Sequence, residues 1–363
     1  MEIPHYSKIH NRFLLNGYHY DQLGLKQVAY SFIKEGDLFE RYIGDFLMDW
    51  LDKSDSIYLV TSGTTAKPKR IFLKKQTFVN SAIATGNHFK ISVGDKALHC
   101  LPAHFIAGKM MLIRAMILGL SLDLISPSKN PFHKNDTVYD FVAMTPMQAY
   151  HSLKNLNQVK TLIIGGAFVS VALQNELIRR SINAFETYGM TETLSHIAVR
   201  SMEDPPSEFT CLSNISVTQD IRKCLVVSAP LLNLESLVTN DKIELLDNNR
   251  FKLIGRIDNV INSGGIKIYP EQIERKLSEV LRFNYFIGSL SDPVLGQKVI
   301  LAVALTNEFD KEALKSEIKN YKSFNSYEIP KAIIFFNDFV YTQSGKIKRN
   351  ETLTLKPSLV LDL

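Results

Sequence analysis

The chain has 363 residues, 45% hydrophobic and 22% charged, with a formal net charge of +5. That is a globular composition with room for two or three cores, and its Lys and Arg are scattered rather than blocked, so nucleic acid is not the partner to expect. Cys100, Cys211 and Cys224 have no metal-ligand or redox spacing, no apolar run approaches about 18 residues, and no leader-like succession follows Met1, so the expectation is a reduced, cytoplasmic protein without membrane insertion.

In chain order, the first predicted strand is "IYLVTS" (57–62), running straight into "TSGTTAKPK" (61–69). Hydroxyls and free backbone N–H groups converge readily on phosphate oxygens. Thr61, Ser62, Thr64 and Thr65 supply donors, Gly63 allows close approach, and Lys67 or Lys69 adds charge. The spacing is not that of a Walker loop, and alone the stretch reads as well as a polar connector. "CLPAHFIAGKMM" (100–111) opens a helix that also carries Arg114. Three apolar runs follow, "LDLIS" (122–126), "FVAMT" (141–145) and "TLIIGG" (161–166), then an amphipathic helix at 171–181. Runs bounded by Gly, Pro, Ser or Thr and alternating with helices predict buried strands of a layered α/β domain. In "ETYGMTET" (186–193), Tyr188 suits stacking on a base or filling core, Thr191 a phosphate contact, and Glu192 a Mg²⁺ ligand. A helix at 270–282, strands at 298–305 and 332–336 and the loop "YTQSGKIKRN" (341–350) predict a second, smaller α/β domain. The division expected is 1–257 for the large domain, shortened at its N-terminus, and 258–363 for a small mobile one.

Four stretches, "TSGTTAKPK", "YGMTE", "GRIDNVINSGGIKIYPEQIE" and "SGKIKR", stand in a fixed order between positions 61 and 349. Together they resemble the adenylate-forming superfamily of acyl-CoA and aryl-CoA ligases, adenylation domains and luciferases. The resemblance implies an ATP-, Mg²⁺- and coenzyme A-dependent acid–thiol ligase acting on a small carboxylic acid, with oligomeric state left open. It implies that Thr61, Ser62, Gly63, Thr64, Thr65 and Lys69 close on the ATP phosphates. Tyr188 and Gly189 lie against adenine with Gly165, Gly166 and Ala167; Thr191 meets the α-phosphate and Glu192 binds Mg²⁺. Asp241 holds the ribose hydroxyls with help from Arg256, Asp258 is the hinge, and Lys346 drives adenylation. Gly264 and Gly265 then border the thiol passage.

Departures from the family pattern are Ala66 and Arg70 where glycines are usual, Asn240 before Asp241, and His104 one place early with Phe105 in the usual position. Only about 60 residues precede the phosphate loop, which points to an absent or minimal part of the N-terminal sheet. This compactness is similar to that of short bacterial o-succinylbenzoate–CoA ligases of menaquinone synthesis. There Phe105, Gly108, Lys109 and Arg114 fall on the acid side, with Arg114 or Lys109 holding a second carboxylate. Arg114 reads equally as an arginine covering a helix surface. Another acyl- or aryl-CoA ligase, a carrier-protein-loading adenylation enzyme and a degenerate nucleotide-binding protein are the alternatives.

Overall fold

The computed structural model describes residues 3–60, 70–132, 136–203, 208–281, 283–305, 310–342 and 346–363. The chain begins with a short hairpin, β1 (Leu14–Leu15) and β2 (Tyr18–His19), and two helices, α1 (Gln22–Glu35) and α2 (Leu38–Trp50). Helix α2 starts where Asp37 and Glu40 cap reciprocally. Strands β3 (Ser56–Val60) and β4 (Arg70–Lys74) pair antiparallel as a separate ribbon. Helix α3 (Lys75–Phe89) follows, then β5 (Lys96–His99), α4 (Ile106–Leu118), β6 (Ser121–Leu124) and β7 (Tyr139–Met144). After α5 (Pro146–His151) come β8 (Val159–Ile164), α6 (Val171–Arg179), β9 (Ala184–Gly189) and β10 (His196–Ser201). Strands β11 (Phe209–Cys211), β12 (Ser216–Gln219), β13 (Cys224–Ala229), β14 (Leu234–Leu245) and β15 (Arg250–Arg256) complete this part.

Among the described residues these strands form one sheet of thirteen, in the order β12-β13-β14-β15-β11-β10-β9-β8-β7-β5-β6-β1-β2. The run from β9 to β1 is parallel, as the βα alternation in the sequence requires, and β10 onward is antiparallel. The apolar runs are buried because helices cover the parallel strands on both faces. Strand β5 has β6 on one side and β7 on the other. That is a switch point, beside which ligands bind at the strands' carboxyl ends.

A second sheet begins five residues after β15. It joins β16 (Ile261–Ser263), β17 (Ile266–Ile268), β18 (Tyr285–Asp292), β19 (Gly296–Ala304), β20 (Ala332–Phe336) and β21 (Leu359–Asp362). Helices α7 (Pro270–Leu277), α8 (Lys311–Lys319) and α9 (Arg349–Leu353) accompany it around its own core. Two predicted helices stop early. The one expected over 171–181 ends at Arg179 because Ser181 turns left-handed at φ 54° while Ile182 and Ser181 bond back to Leu177 and Ile178. The one expected over 270–282 ends at Leu277, where the backbone bonds tighten to three-residue steps at Glu279 and Val280. No helix among the described residues is long and apolar enough to cross a membrane.

Candidate active site

Two of the motif stretches lie at the carboxyl ends of the parallel strands β8 and β9. Strand β8 ends at Ile164 and delivers Gly165, Gly166 and Ala167, with Gly166 at φ 86° and exposed together with Ala167. The predicted strand 161–166 therefore stops before its two glycines. Strand β9 delivers Tyr188 and Gly189. A Cβ on Gly189 would stand 2.3 Å from the Ser195 carbonyl oxygen, so only glycine lets the tip of the β9–β10 hairpin close this tightly. The tip carries Thr191 and the exposed Glu192 on one 3₁₀ turn. Leu194 follows at φ 66° and ψ −43°, with Ser195 N–H donating to the Thr193 carbonyl at 2.7 Å. This is the rare positive-φ γ-turn, a strained backbone of the kind that clusters at functional sites.

On one side of this hairpin lies a carboxylate network. Tyr188, 8% exposed, sits edge-on to Phe209 and Phe251 and donates its hydroxyl to Asp241 Oδ2 at 2.5 Å. Burial, then the Asp241 charge, pushes the phenol well above its ordinary pKa, so it remains a donor. Arg256 reaches Asp241 Oδ1 at 3.4 Å and Asp258 Oδ2 at 2.6 Å, and Asn240 donates to Asp258 Oδ1 at 3.0 Å. One guanidinium is thus shared between the expected ribose carboxylate and the expected hinge carboxylate. Asn240 ties Asp258 to β14 by a contact that glycine lacks.

On the other side is α4. His104 is exposed and packs on Tyr42, while Phe105 occupies the helix N-cap. Gly108 is buried against Pro102, whose carbonyl oxygen would stand 2.4 Å from a Cβ there, and its own carbonyl is 3.1 Å from His99 Nε2. Packing accounts for a glycine at that place. Lys109 turns toward α2, over the Phe46 ring at 5.1 Å, with burial lowering its pKa and Asp49 and Asp45 raising it. Arg114 takes a different face of the same helix and is 2% exposed, which removes the reading of a surface-covering arginine. Its Nη2 donates to Ser195 Oγ at 2.6 Å and lies 3.5 Å from His196 Nδ1. Among the described residues its Nη1 meets only the Met111 sulfur, at 3.6 Å, and its Nε is buried without a hydrogen-bond partner. No carboxylate pairs with it there, and burial pulls its pKa down to about 9. Ser195, His196 and Thr85, which completes this group, were not singled out in the sequence. The signal for the first two was a Ser-His pair one residue after "TET".

The phosphate-loop residues Thr61, Ser62, Gly63, Thr64, Thr65 and Lys69, with Ala66 and Lys67, lie outside the described residues; the ribbon β3–β4 flanks them. Lys346 is exposed, and its backbone N–H and carbonyl both bond Thr342. No hydrogen bond or ion pair among the described residues joins it to Tyr188, Asp241 or Arg114. A cavity of about 530 Å³ beside Pro230 and Asn233–Leu237 contains none of the residues singled out above.

The profile of the AMP-binding enzyme family matches residues 26–217, more than half of the chain. A solved acyl-CoA synthetase (AMP-forming)/AMP-acid ligase II-like protein from Dyadobacter fermentans is 33% identical at a TM-score of 0.58, over 90% of this chain and 97% of that one. The chain belongs to the AMP-binding enzyme family. It is an AMP-forming acyl-CoA ligase. Within this family, a 2-succinylbenzoate–CoA ligase of Bacillus cytotoxicus is 25% identical over 332 residues, 81% of this chain and 68% of the relative. The o-succinylbenzoate CoA synthetase of Bacillus subtilis shares the fold. Solved with its acyl-adenylate intermediate it aligns at a TM-score of 0.73 and 21% identity, over 83% of this chain and 69% of its own. The same protein has been solved with ATP and magnesium ion, at a TM-score of 0.72 and 20% identity.

Proposed function

We propose that the protein is an o-succinylbenzoate–CoA ligase of menaquinone synthesis, in which residues 1–257 bind ATP and acid and residues 258–363 turn about Asp258. The observation that carries the choice of acid is Arg114. An unpaired buried guanidinium is costly, and an acid with a second carboxylate supplies the missing anion. The relatives named for the same acid support the reading.

Asp241, already oriented by Tyr188 and Arg256, accepts from the ribose hydroxyls. Gly166 and Ala167 offer exposed backbone to adenine beside Tyr188. Glu192, exposed on the 3₁₀ turn at the tip of the β9–β10 hairpin, is the carboxylate that would hold Mg²⁺. When bound, that ion offsets the negative charge that nucleotide and acid set against each other. Thr191 donates to the α-phosphate, and Lys346, brought in by the small domain, stabilises charge developing between carboxylate and phosphate. Closure keeps water from the acyl-adenylate. Rotation then exchanges Lys346 for the exposed turn Gly264–Gly265, at φ 58° and 81°, beside which the CoA thiolate reaches the acyl carbon.

Acid-dependent pyrophosphate release tests this, with Mg-ATP and o-succinylbenzoate, benzoate, a medium-chain fatty acid or amino acids, each with and without CoA. The expected result is preference for o-succinylbenzoate and a CoA thioester product. Equal turnover of benzoate, or ATP binding with silence on every acid, would overturn the assignment.

A further inference from the structure

The group around Arg114 contains a directed chain of hydrogen bonds. Thr85, on α3 and fully buried, gives its hydroxyl proton to the Ser81 carbonyl at 3.1 Å. Its oxygen lies 3.2 Å from His196 Nε2. A hydroxyl has one proton, and with that proton on the Ser81 carbonyl the Thr85 oxygen accepts, which assigns the hydrogen to Nε2. The other ring nitrogen, Nδ1, is then a bare acceptor. It faces Arg114 Nη2 at 3.5 Å and Ser195 Oγ at 3.4 Å. Ser195 in turn accepts from the same Nη2 at 2.6 Å, so its own proton goes to the single lone pair of Nδ1, and Arg114 is linked to His196 through Ser195. Each donor in the chain meets one acceptor, with the direction set by a main-chain carbonyl of α3. Burial first, then the charge of Arg114 and the neighbouring His88, drives the imidazole pKa well below its ordinary value, in keeping with a neutral ring.

We propose that His196 is a positioning residue for Arg114: locked as the Nε2–H tautomer by Thr85, it holds the Ser195 hydroxyl, and through Ser195 one amino group of the guanidinium, so that the remaining N–H donors are left for the second carboxylate of the acid. This rests on the reading that Arg114 receives that carboxylate. Nε, buried and unpartnered among the described residues, and Nη1, with only a thioether beside it, are the donors left for the acid. Discrimination between a dicarboxylate and a monocarboxylate acid therefore depends on a histidine that touches neither.

The test compares the KM for o-succinylbenzoate with that for benzoate, as a ratio, in the full-length enzyme and three variants. Removing the acceptor with His196→Leu should shift the ratio against o-succinylbenzoate about tenfold, the scale of one lost hydrogen bond to a charged group. His196→Asn places an amide oxygen close to the position of Nδ1 and should restore the ratio to within about threefold of wild type. Thr85→Val, which removes only the tautomer lock, should fall between them. An unmoved ratio in His196→Leu, or Asn behaving as badly as Leu, would overturn the proposal. Nitrogen-15 NMR of the wild-type ring gives a second readout that needs no substrate: an Nε2–H, Nδ1-bare pattern at neutral pH is expected, and the opposite tautomer or a doubly protonated ring overturns it. If wild type shows no preference for o-succinylbenzoate, the proposed function falls and the NMR result alone decides the role of His196. If the preference is present and the ratio does not move, only the role of His196 falls.

Discussion

Arg114 shows how one residue changes meaning between sequence and structure. In the sequence it is a cation on a helix, fit equally for a surface or a site. In the fold it is 2% exposed, with a hydroxyl, an imidazole and a thioether around it. Those neighbours offer lone pairs but no charge, so the guanidinium is solvated only in part and burial lowers its pKa. Arg114→Ala should raise the KM for o-succinylbenzoate by about 100-fold, the scale of a buried charge pair, and that for benzoate far less. Steady-state kinetics with both acids checks this. Equal effects would assign Arg114 to structure alone. Tyr188 stands differently, because the sequence allowed both stacking and core filling: its ring belongs to the core while its hydroxyl orients Asp241.

At the scale of elements, α4 separates two residues that the sequence set side by side as rivals. Lys109 and Arg114 are five positions apart, about 140° around a helix, and so point to α2 and to β10 respectively. Only the packing of α3, α2 and β10 around α4 decides that Lys109 meets the Phe46 ring and Arg114 the Ser195–His196 pair. Helix α4 comes this close to the β5 side because Gly108 has no side chain. Gly108→Ala should force its Cβ against the Pro102 carbonyl and cost about 1–3 kcal/mol, visible as a lower Tm in thermal melts. An unchanged Tm would mean that the helix can slide to make room. The strands themselves were readable from short β-branched runs, whereas the helix ends at Arg179 and Leu277 were not, because backbone turns with no Gly or Pro signal set them.

At the scale of the whole molecule, two buried imidazoles tie stability to pH. His99 is fully buried, its Nδ1 has no hydrogen-bond partner among the described residues, and burial pulls its pKa from 6.5 to about 4. The unfolded chain therefore binds this proton more readily than the folded one. The contribution is complete above pH 6.5 and is lost as pH falls toward 4, amounting to about 3 kcal/mol. His196 shifts in the same direction. Urea unfolding measured between pH 7 and 4 should show the decline, and His99→Gln should flatten it; a decline of equal slope in that variant would place the effect elsewhere.

The order of motifs and the βα alternation were legible in the sequence, because they are local. A strand needs only its apolar run, and a carboxylate or lysine declares its chemistry at its own position. The family followed from four such stretches in a fixed order. What only the tertiary structure decided was which distant groups share a charge or a proton. Arg256 divided between Asp241 and Asp258, and Thr85, 111 positions from His196, setting the tautomer that faces Arg114, depend on the closing of a long sheet. Hydrogen bonds and desolvation act over a few ångströms in space, and linear spacing carries no record of them.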